Sequence, residues 1–325
     1  MRGRLASLAR PIVGVGVLAF LVAWMGVAPF VDAIGALRWP ALALGFTVGA
    51  LTTLCCVWRW REVASGLGIP VPMGVAVAAY YQSQFLDATL PGGVLGDLHR
   101  GVRHGRHVRA VGRGLRAVAW ERSFGQVVQL WLTVLLVLLL PSPARAVIPA
   151  DVSAPAAALV GAAVAVVPVL LLKAHSQRAG TKARAVSTLR NDFRSIVRAR
   201  PGSLPRIVLA SAGAVTGHAA MFVIAARVSG VSVPLDRLLP VVLVVLVASG
   251  LPVNVAGWGP REGAAAWAFG AAGLGAAQGI TTAVVYGVMG LIASLPGALV
   301  LATGRPLHGA SPRESTSVSD GAIRA

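Results

Sequence analysis

The sequence is short of acidic residues, of cysteine and of charge in general, and each shortage removes a class of protein. Only 12% of its 325 residues are charged while 56% are hydrophobic, which leaves too little polar surface to cover a soluble globule. The two cysteines, Cys55 and Cys56, are adjacent in an apolar stretch. They cannot easily bridge each other there and have no metal-ligand companions, so they read as packing residues. There is no Ser-His-Asp arrangement, no metal-ligand spacing, no phosphate loop and no dinucleotide fingerprint. Nothing therefore points to hydrolytic or redox catalysis, to a cofactor or to ATP. The basic stretches also lack the interleaved aromatics that single-strand binding favours, so nucleic acid is not an expected partner.

What is present is an all-α, polytopic membrane protein. Mean hydropathy is +0.75. Twenty-nine Lys and Arg outnumber 11 Asp and Glu, an excess typical of cytoplasmic loops facing anionic lipid. About twenty apolar residues cross the hydrocarbon core, and on that measure six full spans fall near 11–31, 41–58, 118–140, 154–172, 207–228 and 277–300. The first follows Arg2, Arg4 and Arg10. It is too long for a signal peptide and reads as a retained helix with a cytoplasmic N-terminus. Residues 304–325, rich in Ser, Pro, Gly and charge, read as a disordered cytoplasmic tail. The expected location is the cell membrane, with multiple passes.

Two further segments, 73–98 and 238–275, are apolar but interrupted by glycine and proline. Loop charge decides how they run. The 99–117 loop carries six arginines and the 173–206 loop nine basic residues against Asp192 alone, so both should be cytoplasmic. Arg59 and Arg61 place the chain there after the second span. The loops at 32–40, 141–153 and 229–237 each hold one acid and one base and are the expected exterior loops. The 73–98 segment should then enter and return from the cytoplasm as a broken hairpin, and 238–275 should dip in from outside. Each half thus repeats span, span, hairpin, span. The expected division is a first membrane repeat over 1–153 and an inverted second repeat over 154–303.

The two breaks are the candidate site. Backbone that leaves a helix inside a bilayer is tolerated only where protein or a water-filled cavity satisfies it. In the first, Pro91, Gly92 and Gly93 follow Asp87 and precede Asp97, His99 and Arg100. Ionisable groups at membrane depth are costly enough to imply function. In the second, Gly257, Gly259 and Pro260 lead into Arg261 and Glu262. Pro260 can start a helix, Glu262 can satisfy its N-terminus and Arg261, pointing elsewhere, can meet a phosphate or carboxylate. Glu121 and Arg122 open the next span. Neighbours on a helix lie about 100° apart, so they should pair with other elements, such as Arg100 or Asp97. His218 reads as an interhelical hydrogen-bonding residue; with Asp87 it is also a candidate for proton coupling. Gly45 and Gly49 permit close helix packing. Residues 185–197 form an amphipathic pattern expected to lie on the anionic inner leaflet.

At these residues the chain resembles the lysylphosphatidylglycerol synthase transmembrane-region family of flippase-like membrane proteins. Pro91-Gly92-Gly93-Val94-Leu95-Gly96-Asp97 followed by Arg100, Glu121-Arg122 with Gly125, and Gly257-x-Gly259-x-Arg261-Glu262-Gly263 are similar to its three motifs in order. Two departures stand out. Leu95 replaces a common glycine, and Tyr286 is followed by Gly287 where members often have arginine. The resemblance lacks the soluble aminoacyl-transferase domain and implies that this chain does not make lysylphosphatidylglycerol by itself.

The first functional expectation is translocation of an anionic phospholipid or polyprenyl-phosphate lipid through a polar cavity between the halves. Arg100, Arg122 and Arg261 would hold phosphate, with Asp97, Glu121 and Glu262 orienting them. The alternatives are a membrane-embedded transferase with Asp97 or Glu262 as base, and a scaffold that recruits a partner synthase or glycosyltransferase through its basic loops.

Overall fold

The computed structural model describes residues 37–90, 93–140, 181–250 and 259–303, together with Val31 and Gly35. All regular structure among these residues is helical. In chain order the helices are α1 (Trp39–Gly66), α2 (Met73–Thr89), α3 (Leu95–His107), α4 (Val111–Leu139), α5 (Thr181–Arg198), α6 (Ser203–Val228), α7 (Leu235–Ser249), α8 (Pro260–Ala271) and α9 (Ala276–Ala302). Four of them, α1, α4, α6 and α9, are long and apolar enough to cross a membrane. They match the second, third, fifth and sixth expected spans. The spans expected at 11–31 and 154–172, the 141–153 loop and the 304–325 tail lie outside the described residues.

Proline and glycine set the ends that matter. α2 stops at Thr89 because Pro91 follows: the residue before a proline is pushed out of the helical region, and Leu90 is extended at φ −100°, ψ 145°. Gly93 then turns the chain at φ +55° before α3 begins. In the second half α8 starts on Pro260, whose missing N–H costs nothing at a helix N-terminus.

Packing couples the halves. α1 lies against α6, where a side chain on Gly217 would strike the Thr52 hydroxyl. Gly45 and Gly49 likewise admit Met289 and Ala293 of α9, so their close neighbour is this chain. The pairing is reciprocal: α2 packs on α9 and α4 on α7, while α3 bridges α2 and α4 as α8 bridges α7 and α9. Trp131, Leu139, Leu209 and Leu299, each at least 68% exposed, sit on the outside. For a water-soluble protein such a surface would aggregate; in a bilayer it faces lipid.

Three expectations are corrected. α1 continues to Gly66, so Arg59 is not a loop marker but a buried residue within the bundle. The 99–117 stretch is not a loop: α3 and α4 run through it and turn only at 108–110. Glycines make this possible, since Gly101, Gly105 and Gly114 bring the two backbones into contact. The amphipathic segment is indeed a helix, α5, but its apolar face docks partly on protein. Ile196 is fully buried against Gly66, and Asp192 pairs with Arg116 at 2.6 Å. Phe193 keeps partial exposure beside the rings of Trp120 and Phe124. Arg190, Arg194 and Arg198 stay exposed on the other face.

Candidate functional site

Four helices bring the first half's charges together. Glu121 of α4 is fully buried, and its Oε1 accepts two bonds from Arg59 of α1 and one from the Tyr80 hydroxyl of α2. Its Oε2 accepts from Arg100 of α3 at 3.0 Å. Arg100 also donates to Asp97 Oδ1 at 2.8 Å. Its guanidinium carbon lies 4.5 Å from the Trp60 ring centre and 4.2 Å from that of Tyr80, which stabilises a cation where water is scarce. Asp97 further accepts from Ser83 at 2.9 Å and from Arg122. Arg122 reaches a second carboxylate, Asp87, at 3.5 Å, while Asp87 Oδ1 accepts the Gly96 N–H at 2.8 Å.

Each of these charges would cost several kcal/mol if buried alone. Three arginines and three acids cancel, and the ladder of shared oxygens ties α1, α2, α3 and α4 at one point. Glu121 and Arg122 diverge to different partners, as their helical spacing predicts. Arg59, Tyr80 and Trp60 complete the cluster and were not anticipated. The available signal was position: Arg59 falls three residues after Cys56 and four before Val63, on the buried stripe of α1.

The second half holds a smaller set. Glu262, fully buried, accepts the Gly259 N–H at 2.6 Å and so caps α8. Gly259 sits at φ +118°, a region that side chains disfavour. Arg261 does not point away, as its helical spacing led us to expect. It folds back to donate to Glu262 from Nε at 2.9 Å and Nη2 at 2.5 Å. Its guanidinium carbon lies 5.4 Å from the Tyr286 ring centre. A side chain on Gly287 would collide with Arg261 Nη2, so the guanidinium occupies the space that an arginine at 287 would use. His218 bonds the Tyr286 hydroxyl at 3.0 Å, joining α6 to α9.

A cavity of about 410 Å³ lies between these two sets. Asp97, Glu121, Arg122 and Arg261 line it; Arg100 and Glu262 do not. Arg100 is therefore placed beneath the cavity wall, where it holds Asp97 and Glu121. Asp87, Gln84, Gln126, His218 and Tyr286 add polar lining, and leucine, methionine and alanine from α6, α7 and α9 add apolar surface. Arg122 is the most open of the paired charges, with 39% of its side chain exposed. Of the helix-break residues, Gly93 and Gly259 bond to site side chains, Arg122 approaching the Gly93 carbonyl at 3.4 Å and Glu262 accepting the Gly259 N–H, while Pro260 opens α8. Pro91, Gly92 and Gly257 lie outside the described residues. Among the described residues no three His, Cys, Asp or Glu side chains converge as metal ligands. The volume suits a lipid head group, and three lining arginines, Arg59, Arg122 and Arg261, beside hydroxyls and amides suit phosphate.

The family model described as lysylphosphatidylglycerol synthase TM region matches residues 11–297. No curated protein and no solved structure matches the chain.

Proposed function

The chain belongs to the lysylphosphatidylglycerol synthase TM-region family, and on that premise we propose that it is a flippase-like protein moving a lipid with an anionic phosphate head group. That it is an integral membrane protein follows from the family and the apolar helices. The cavity carries the rest of the reading: it lies between the two halves, and each half contributes an arginine to its wall. In this reading Arg122 and Arg261 take the phosphate in paired hydrogen bonds. Arg100, Asp97 and Glu262 are positioning residues that hold those guanidinium groups.

We read the halves, 1–153 and 154–303, as inverted repeats that rock about their breaks. The reciprocal packing of α2 on α9 and α4 on α7 supports this. The basic end formed by α5 and the start of α4 would face the cytoplasm. The engagement of Asp97 and Glu262 by arginine, serine and backbone donors supports transfer over catalysis by either carboxylate.

The test is transfer of fluorescent phosphatidylglycerol or polyprenyl phosphate across proteoliposomes, with neither ATP nor a partner. Losing a hydrogen bond to a charged group costs about 1.5–3 kcal/mol, so Arg122→Ala and Arg261→Ala should each slow transfer about tenfold or more. Wild-type rates in both variants would overturn the proposal.

A further inference from the structure

Among the described residues the charges around the cavity sum to zero. Arg59, Arg100, Arg122 and Arg261 are each paired with a carboxylate among Asp87, Asp97, Glu121 and Glu262. An anionic head group entering this balanced site adds a negative charge with nothing to offset it, and in a low-dielectric setting that cost is several kcal/mol. Either a cation accompanies the anion, or one carboxylate gives up its charge.

The geometry singles out which carboxylate that is. Glu121 and Glu262 are fully buried, and each is held by a guanidinium and a further donor. Asp97 is held by Ser83, Arg100 and Arg122. Asp87 differs on every count. Among the described residues it accepts one backbone N–H, from Gly96, and its one ion pair, to Arg122, is 3.5 Å long. At 17% its side chain is the most exposed of the four, and it lines the cavity. It also shares Arg122 with another acid, Asp97, and two carboxylates competing for one guanidinium favour protonation of the less well held.

Among the described residues, the surroundings of Asp87 offer no other compensating charge. α3 faces it with Asp97 and Arg100, and α4 with Arg122. α1 brings Arg59, already held by Glu121, and α9 brings Tyr286, already bonded to His218.

Resting on the lipid-binding reading above, we infer that the protein binds its anion together with a proton: Asp87 takes a proton from solvent as the phosphate displaces it from Arg122, so that transfer is anion–proton cotransport. The proton moves onto a carboxylate oxygen of Asp87, and no covalent bond in the lipid changes. Occupied and empty cavities then carry the same net charge, the condition for both to reorient within a membrane.

The experiment measures binding of short-chain phosphatidylglycerol to the purified full chain between about pH 5 and about pH 8, a range in which a phosphodiester keeps its charge. Binding that takes up a proton weakens as pH rises, by about tenfold per pH unit above the midpoint. Wild type should show that slope, together with alkalinisation of weakly buffered solution on mixing. Asp87→Asn keeps an oxygen for the Gly96 N–H and mimics the protonated acid. It should bind at least as tightly, with no slope and no alkalinisation. A flat wild-type profile without proton uptake, or an Asp87→Asn variant that keeps the wild-type slope, would overturn the inference while leaving lipid binding intact. Competition by polyprenyl monophosphate at one fixed pH identifies which lipid class the site prefers. Failure of both lipids to bind wild type at any pH would overturn the lipid-binding reading and the inference with it.

Discussion

Read as the inverted repeats proposed above, the two halves reach the same cavity with different residues at equivalent places. Asp97 and Glu262 are each the third residue of the helix after a break, so an acid sits in the first turn in both. The next long helix then diverges: its eleventh and twelfth residues are Glu121 and Arg122 in the first half, Tyr286 and Gly287 in the second. The second half nevertheless has its cation. Arg261, whose counterpart in the first half is Gly96, sends its guanidinium into the space beside Gly287. Arginine and glycine have exchanged helices, and the exchanged arginine lines the cavity in both halves, Arg122 beside Arg59 in the first and Arg261 in the second. In the inverted-repeat reading proposed above, what is retained is the position of the charge, not the residue that carries it. The eleventh position teaches the complementary lesson: Glu121 ties four helices, whereas Tyr286 ties α9 to His218 by one neutral bond.

That contrast predicts the largest effect. Glu121→Gln leaves Arg59 and Arg100 buried with their shared acid gone, and breaking a buried ion pair costs about 3–5 kcal/mol. We expect loss of the monodisperse peak in detergent, or a much lower unfolding temperature for whatever folds. A Glu121→Gln protein as stable as wild type would mean that the cluster is not a structural tie.

Much of this organisation is legible in the sequence. The apolar runs mark α1, α4, α6 and α9, because lipid leaves backbone no partner but its own helix. Pro91 and Pro260 mark the breaks, and the helical divergence of Glu121 from Arg122 anticipates partners on separate elements. Depth was not legible. Arg59 counts as a loop charge as long as its partner is unknown, since an arginine beside Glu121 and one beside water look alike along the chain. The exchange of Arg261 for an arginine at 287 is likewise invisible one residue at a time. It depends on α8 and α9 lying close enough for a side chain of one to fill a glycine gap in the other.

The exchange can be tested directly. Gly287→Ala places a methyl group on the Arg261 guanidinium, and overpacking of that kind costs about 1–3 kcal/mol. It should also slow lipid transfer by displacing the cation. Combining Gly287→Arg with Arg261→Gly rebuilds the first half's arrangement in the second. We expect the double variant to transfer lipid faster than either single one. If the double variant is no better than Gly287→Arg alone, the two arginine positions are not equivalent and the comparison fails.

The smallest effect belongs to Tyr286→Phe, at the position equivalent to Glu121. It removes a hydroxyl from His218 and leaves the ring over which Arg261 lies. A neutral hydrogen bond contributes about 0.5–1.5 kcal/mol, so the unfolding temperature should fall slightly while transfer keeps its wild-type pH profile. His218 then has no role in proton uptake, which falls to Asp87 elsewhere in the cavity lining. A Tyr286→Phe variant with a shifted pH profile would instead make the His218–Tyr286 pair a second titrating element. The second half would then share in coupling as well as in holding the anion.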